Sequence, residues 1–136
     1  MDKGQALKTY FGHGSFRPGQ EALIDALLSG RDALGVMPTG AGKSVCYQLP
    51  ALLLPGVTVV LSPLISLMAD QVAALREAGI EAASLNSSLS ADEYREVLRR
   101  AYRGEVRLLY VAPERLTAPA FLRFAQSGAV SLLAVD

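Results

Sequence analysis

The chain is predicted to fold as an α/β domain around a mainly parallel sheet, and three observations predict it. Apolar, β-branched runs recur at 33–36, 57–61, 82–85, 106–111 and 130–135. Their spacing of roughly 25 residues leaves room for a helix between neighbours, which is the rhythm of βα units. The runs are nearly continuous in hydrophobicity rather than alternating, as strands covered on both faces require. The third observation is the segment Met37-Pro38-Thr39-Gly40-Ala41-Gly42-Lys43-Ser44, which follows the first run and precedes a helical pattern from Val45. Strand, glycine-rich loop and helix in that order form the setting of a phosphate-cradling loop.

The helices have readable ends. Pro18 suits the first turn of a helix over 18–28, with Gly30 just beyond it. Leu64, Leu67, Met68, Val72 and Leu75 share one face of a helix that Gly79 stops. Ser90 and Glu93 form a capping box at the head of a helix whose apolar face is Tyr94, Val97, Leu98, Ala101 and Tyr102. Pro119 and Gly128 bracket a shorter one. The chain is read as one domain, or the N-terminal part of one, over 1–136, without linker, repeat or low-complexity segment.

Composition narrows the classes. Of 136 residues, 51% are hydrophobic, ample for a core, yet no run free of charges or helix breakers reaches membrane-spanning length. No membrane partner is expected, and the start, Met1-Asp2-Lys3-Gly4-Gln5, lacks the basic-then-apolar layout of a signal peptide. A cytoplasmic location is the default expectation. A single cysteine, Cys46, excludes a disulfide framework and a paired-cysteine zinc site, and its place on an apolar helix suits core packing. Thirteen basic and thirteen acidic residues cancel, so net charge carries no nucleic-acid signal. Arg99, Arg100 and Arg103 close a helix, where cations complement the macrodipole.

The phosphate loop carries the most chemistry. Gly40 and Gly42 allow a tight turn that points successive N–H groups at phosphate oxygens. Lys43 supplies a charge between the terminal phosphates and Ser44 a hydroxyl ligand for Mg²⁺. Gly-x-Gly-Lys-Ser/Thr arises by chance in a chain of this size with a probability on the order of 0.5%. The motif's usual opening glycine is here Met37. In a parallel sheet, ligands bind at the carboxyl ends of strands. Ser62-Pro63, Asn86-Ser87-Ser88 and Ala112-Pro113-Glu114-Arg115 all follow later strands, so ATP explains only the first loop of that rim. A nucleotide kinase would carry more arginines in acceptor and lid segments, whereas a motor needs a second ligand track there.

Several segments resemble the first motor domain of RecQ-family DNA helicases of superfamily 2. Phe11-Gly12-His13-Gly14-Ser15-Phe16-Arg17-Pro18-Gly19-Gln20 is similar to that family's adenine-recognition motif, and the phosphate loop matches its non-glycine opening. Leu61-Ser62-Pro63-Leu64-Ile65-Ser66-Leu67-Met68, Leu85-Asn86-Ser87-Ser88 and Tyr110-Val111-Ala112-Pro113-Glu114-Arg115-Leu116 follow in order. Leu132-Leu133-Ala134-Val135-Asp136 looks like the strand leading into a DEAH box. His13 stands where the family more often carries tyrosine.

The resemblance implies a RecA-like P-loop NTPase domain of three layers. It implies ATP and Mg²⁺ as cofactors, with His13, Arg17, Gln20, Thr39, Gly40, Ala41, Gly42, Lys43 and Ser44 around the nucleotide. Gln20 offers both a donor and an acceptor to the adenine edge, and the Arg17 and His13 planes suit stacking on the ring. Phe11 and Phe16 suit core staples better than base stackers. Asp136 would face the metal with Ser44, and Lys43 and Asp136 would be catalytic. Ser62 suits a helix cap and a phosphate contact equally. The resemblance favours contact, and gives Asn86, Ser87 and Arg115 the same standing.

The implied activity is ATP-driven 3′→5′ translocation on single-stranded DNA, with unwinding of partly duplex DNA in repair or recombination. An RNA helicase, a duplex-DNA translocase and a nucleotide-switched nucleic-acid-binding module are the alternatives. The Ser62-Pro63-Leu64-Ile65-Ser66 loop is unlike the arginine-bearing loop of DEAD-box RNA helicases. The box's remaining residues, the second motor domain with its arginine finger and the later domains are not in this sequence. It is therefore expected to be an N-terminal part of such a protein and to be inactive alone. Nothing in the residues identifies protein partners.

Overall fold

The computed structural model describes residues 1–37 and 42–136. It divides into two compact units, Met1–Pro55 and Gly56–Asp136, each with its own core.

The first unit holds three helices, α1 (Lys3–Phe11), α2 (Gln20–Leu28) and α3 (Val45–Leu53). Asp2 starts α1 through a capping box with Gln5, the one sequence signal for a helix that apolar periodicity does not announce. Helix α2 begins after the Pro18–Gly19 turn, two residues later than the proline suggests. Residues from Val45 to Ala51 of α3 are all buried. Ala6, Leu7, Ile24, Val45 and Leu49 form the core, and Phe11 and Phe16 pack against it as staples. Cys46 is buried in α3, and burial pushes its thiol up from the ordinary value. The thiolate is thereby disfavoured, in line with a packing role.

The expected strand over 33–36 is absent. These residues take no regular structure, and Leu34 and Val36 are 89% and 90% exposed. A strand is stable only in a ladder, and no described residue pairs with this run. Gly35 instead passes so close to α2 that a Cβ there would lie 2.4 Å from Leu23 Cδ1.

The second unit is a parallel sheet of β1 (Val57–Leu61), β2 (Ala82–Leu85), β3 (Leu108–Val111) and β4 (Val130–Val135), in the order β2-β3-β1-β4. The helices α4 (Ile65–Glu77), α5 (Ala91–Tyr102) and α6 (Pro119–Gln126) make the crossovers. The connection from β1 to β2 runs one way along the sheet, and those from β2 to β3 and β3 to β4 run back. Right-handed crossovers therefore put α4 on one face and α5 with α6 on the other. The packing agrees. Val57, Val59, Ala83, Leu85, Leu109 and Val111 share a cluster with Leu98 and Ala101 of α5 and Phe121 and Phe124 of α6. Met68, Val72 and Leu75 of α4 are buried outside that cluster, and α4 packs on β2.

The helix signals in this unit are mostly borne out. The Ser90–Glu93 capping box is formed, with Ser90 Oγ accepting from Glu93 N at 3.1 Å and Glu93 Oε1 accepting from Ser90 N at 2.9 Å. Arg99, Arg100 and Arg103 sit at the end of α5, as the helix-end reading expects, and they also pair with Glu96, Glu81 and Glu105. Tyr102, expected on the buried face, is 52% exposed, though its ring meets Phe124 edge to face at 5.0 Å.

Candidate functional site

Gln20 anchors the described part of the phosphate loop. Its Oε1 accepts from Arg17 N at 2.8 Å and its Nε2 donates to Gly42 O at 3.0 Å, and the residue is 4% exposed. One carboxamide thus ties the turn before α2 to the loop before α3, across 22 residues of sequence. A carboxamide oxygen has two lone pairs and its nitrogen two hydrogens, so one acceptor and one donor position remain. Gly42 has φ +76°, and a Cβ there would lie 2.5 Å from Gln20 Nε2 and 3.8 Å from Arg17 Nη1. The position therefore demands glycine twice, for its left-handed backbone and for the approach of Gln20.

Beyond Gly42, Lys43 is exposed, and Ser44 is the N-cap of α3 with a hydroxyl that makes no capping bond. The charge and the hydroxyl thus both stand at the head of a helix, where backbone N–H groups lack intrahelical partners. Pro38 and the expected nucleotide contacts Thr39, Gly40 and Ala41 lie outside the described residues. Arg17, Gln20 and Gly42 come together in the structure, while His13 lies on the surface just after α1.

In the second unit the strand register lines up the other expected positions. Leu61, Val111 and Leu85 are level across β1, β3 and β2, and Val135 of β4 is level with Leu61. The next residues, Ser62, Ala112, Asn86 and Asp136, therefore begin the loops along one carboxyl rim. Asp136 N donates to Leu61 O at 3.1 Å, which fixes the aspartate at the end of β4 beside β1. Among the described residues no group of three or more acids, histidines and cysteines gathers at one place.

The side chains of this rim differ in access. Ser62 is 3% and Asn86 5% exposed, whereas Ser87 and Ser88 are exposed. Asn86 Oδ1 accepts from Ser88 N at 2.8 Å and also from the Ser88 hydroxyl, so it shapes the turn after β2. Arg115 ends a short 3₁₀ turn, Pro113–Arg115, after β3 and is half-buried. Its guanidinium lies over the Tyr94 ring, 5.6 Å from the centroid. Sequence reading assigned Tyr94 to the helix face alone and missed this contact. Sequence gives no signal for it, because the pair is brought together by the return of β3 beside β2.

The comparisons decide the family. The DEAD/DEAH box helicase model matches residues 17–136. The chain belongs to the DEAD/DEAH box helicase family. It is 49% identical over 130 residues to the ATP-dependent DNA helicase RecQ of Haemophilus influenzae, covering 96% of this chain and 21% of that relative. It is 50% identical over 131 residues to the RecQ helicase of Bacillus subtilis, covering 96% and 22%. It is 47% identical over 131 residues to the ATP-dependent DNA helicase Q-like 5 of Arabidopsis thaliana, covering 96% and 14%. This DEAD/DEAH chain thus spans about a fifth or less of the length of these curated relatives, and the likeness to RecQ proteins runs through nearly all of it.

Proposed function

We propose that the protein carrying this chain is an ATP-dependent DNA helicase of the RecQ type, in which this chain supplies part of the ATP-binding motor domain. The observation that carries the reading is the Gln20 carboxamide bound to Gly42 of the phosphate loop, beside the exposed Lys43 and the uncapped Ser44 hydroxyl. The near-even identity to proteins named ATP-dependent DNA helicases supports it. Lys43 would neutralise charge on the terminal phosphates, and Ser44 and Asp136 would hold Mg²⁺, which supplies charge neutralisation at the transferring phosphoryl group. Gln20, Arg17 and His13 would recognise adenine, with Gln20 offering its remaining donor and acceptor. Thr39, Gly40 and Ala41 belong to the same proposal through their backbone N–H groups.

Single-stranded and partly duplex DNA is the proposed track, followed 3′→5′ in repair or recombination in the cytoplasm. Exposed Ser87 and half-buried Arg115 would touch its sugar-phosphate backbone, and Ser62 and Asn86, both buried at the same rim, would meet the strand there, Asn86 also shaping the turn after β2. Contacts to the backbone alone suffice for a motor that ignores sequence. Among the described residues, no helix is long and apolar enough to cross a membrane.

Calorimetric titration of this chain with Mg²⁺ and either ATP or GTP tests the nucleotide half. Weak binding that favours ATP is expected, and Gln20→Ala should reduce the preference while also loosening the loop. Equal affinity for the two nucleotides would remove the adenine role of Gln20.

A further inference from the structure

The Arg115 guanidinium meets the Tyr94 ring in the first turn of α5. Tyr94 is the fourth residue of α5, and the Ser90–Glu93 capping box fixes the start of that helix. Leu89, just before the cap, and Tyr94 both pack against the core cluster, the arrangement of a hydrophobic staple. The ring is therefore held at both ends of the first turn. Arg115 reaches it from the turn after β3, whose backbone is fixed by Arg115 N donating to Ala112 O at 2.9 Å and Ala118 N donating to Arg115 O at 3.1 Å.

Two polar atoms of this pair are unsatisfied. Arg115 Nε and the Tyr94 hydroxyl are both buried without a hydrogen-bond partner. Arg115 forms no ion pair among the described residues, although Glu114 is its neighbour. Burial pushes the Tyr94 hydroxyl above its ordinary range, against an opposing pull from the Arg115 charge, so the ring stays neutral beneath the guanidinium. A cation held by a ring face alone, at the carboxyl rim of a sheet, retains its capacity for an anion. A guanidinium matches phosphate in shape as well as charge.

We propose that Tyr94 is a positioning residue for nucleic-acid binding: its ring holds the Arg115 guanidinium in place, so that an otherwise unpaired cation meets a phosphate of the single strand. This rests on the proposed DNA-helicase function. The ring acts only through Arg115, and the hydroxyl is not needed for it.

The test uses the full-length protein and fluorescence titrations with oligo-dT at several salt concentrations. Tyr94→Phe keeps the ring and should bind within about twofold of the parent. Tyr94→Leu removes the π face and should weaken binding about fivefold. Its salt dependence should flatten toward that of Arg115→Ala, by up to about one charge unit. In an Arg115→Ala background, Tyr94→Leu should have no further effect on DNA, which a residue that merely stabilised the fold would not satisfy. Thermal melting accompanies each variant, and Tyr94→Met fills the same space if Tyr94→Leu does not fold. Equal losses from Tyr94→Leu with and without Arg115 would overturn the proposal, as would parent-like binding by a folded Tyr94→Leu. If Arg115→Ala itself leaves affinity and salt slope unchanged, Arg115 is no DNA contact and the positioning role falls with it. Intact ATP-driven unwinding in that variant would show that the helicase reading survives.

Discussion

Lys43→Ala in the full-length protein is expected to reduce DNA-stimulated ATP turnover at least about a hundredfold, the loss seen when one preorganised charge-stabilising donor is removed. The reasoning begins with where the residue lies. Lys43 is exposed at the head of α3, directly after Gly42, which Gln20 fixes from the other side of the loop. In the proposed role, its charge would be brought to the phosphates by a backbone that Gln20 braces at Gly42. In phosphoryl transfer the protein contributes positioning and charge stabilisation, and both are lost when the ammonium goes. The variant should melt at the parent's temperature, because an exposed lysine contributes little to folding. Steady-state ATPase assays with saturating oligo-dT measure the effect. Turnover within a few-fold of the parent would remove Lys43 from the phosphate site.

The largest effect on stability is expected from Gly56→Ala, at about 3 kcal/mol. Gly56 turns the chain into β1 with φ +78°, a conformation that costs an alanine energy before any contact is counted. A Cβ there would lie 2.6 Å from Ala129 O, and this neighbour is backbone, not a movable side-chain tip. Ala129 O also accepts from Val57 N at 2.8 Å, the bond that starts the pairing of β1 with β4. Relieving the clash therefore stretches the first rung of the ladder. Urea unfolding of the chain should show the midpoint falling with little change in slope. An unfolding free energy within about 0.5 kcal/mol of the parent's, the range of ordinary surface substitutions, would contradict this account of the turn.

The fold was legible wherever an apolar run also had neighbours. The strands over 57–61, 82–85 and 130–135 appear at those bounds, because continuous Val, Leu and Ala runs suit a parallel sheet, although β4 lies at its edge with Leu133 and Val135 exposed rather than covered on both faces. The run over 33–36 has similar composition but no partner among the described residues, and pairing is a property of two segments, not one. Helix α1 was missed because its apolar stripe is short, although Asp2 and Gln5 carried a cap signal.

The site was legible as chemistry and only partly as geometry. Gln20, Arg17 and Gly42 do meet, as the motif order suggests. That Gln20 ties the turn before α2 to the loop, one end of its amide on each, requires knowing that two segments 22 residues apart touch. Ser62 and Asn86 look like any polar loop residues in sequence, and burial alone separates them from Ser87. Tyr94 carried no functional signal, because a helix-face tyrosine is ordinarily core. Its meaning comes from the guanidinium that the next strand connection lays upon it.

Strand separation by the full-length protein tests the central claim most directly. A short labelled duplex carrying a single-stranded tail on either its 3′ or its 5′ end is mixed with the protein, Mg²⁺ and ATP. The duplex with the 3′ tail should be separated, the 5′-tailed one should persist, and both should persist without ATP or with Lys43→Ala. Brisk DNA-stimulated ATP hydrolysis with neither duplex separated would contradict the helicase account and favour a translocase or a nucleotide-switched binding module.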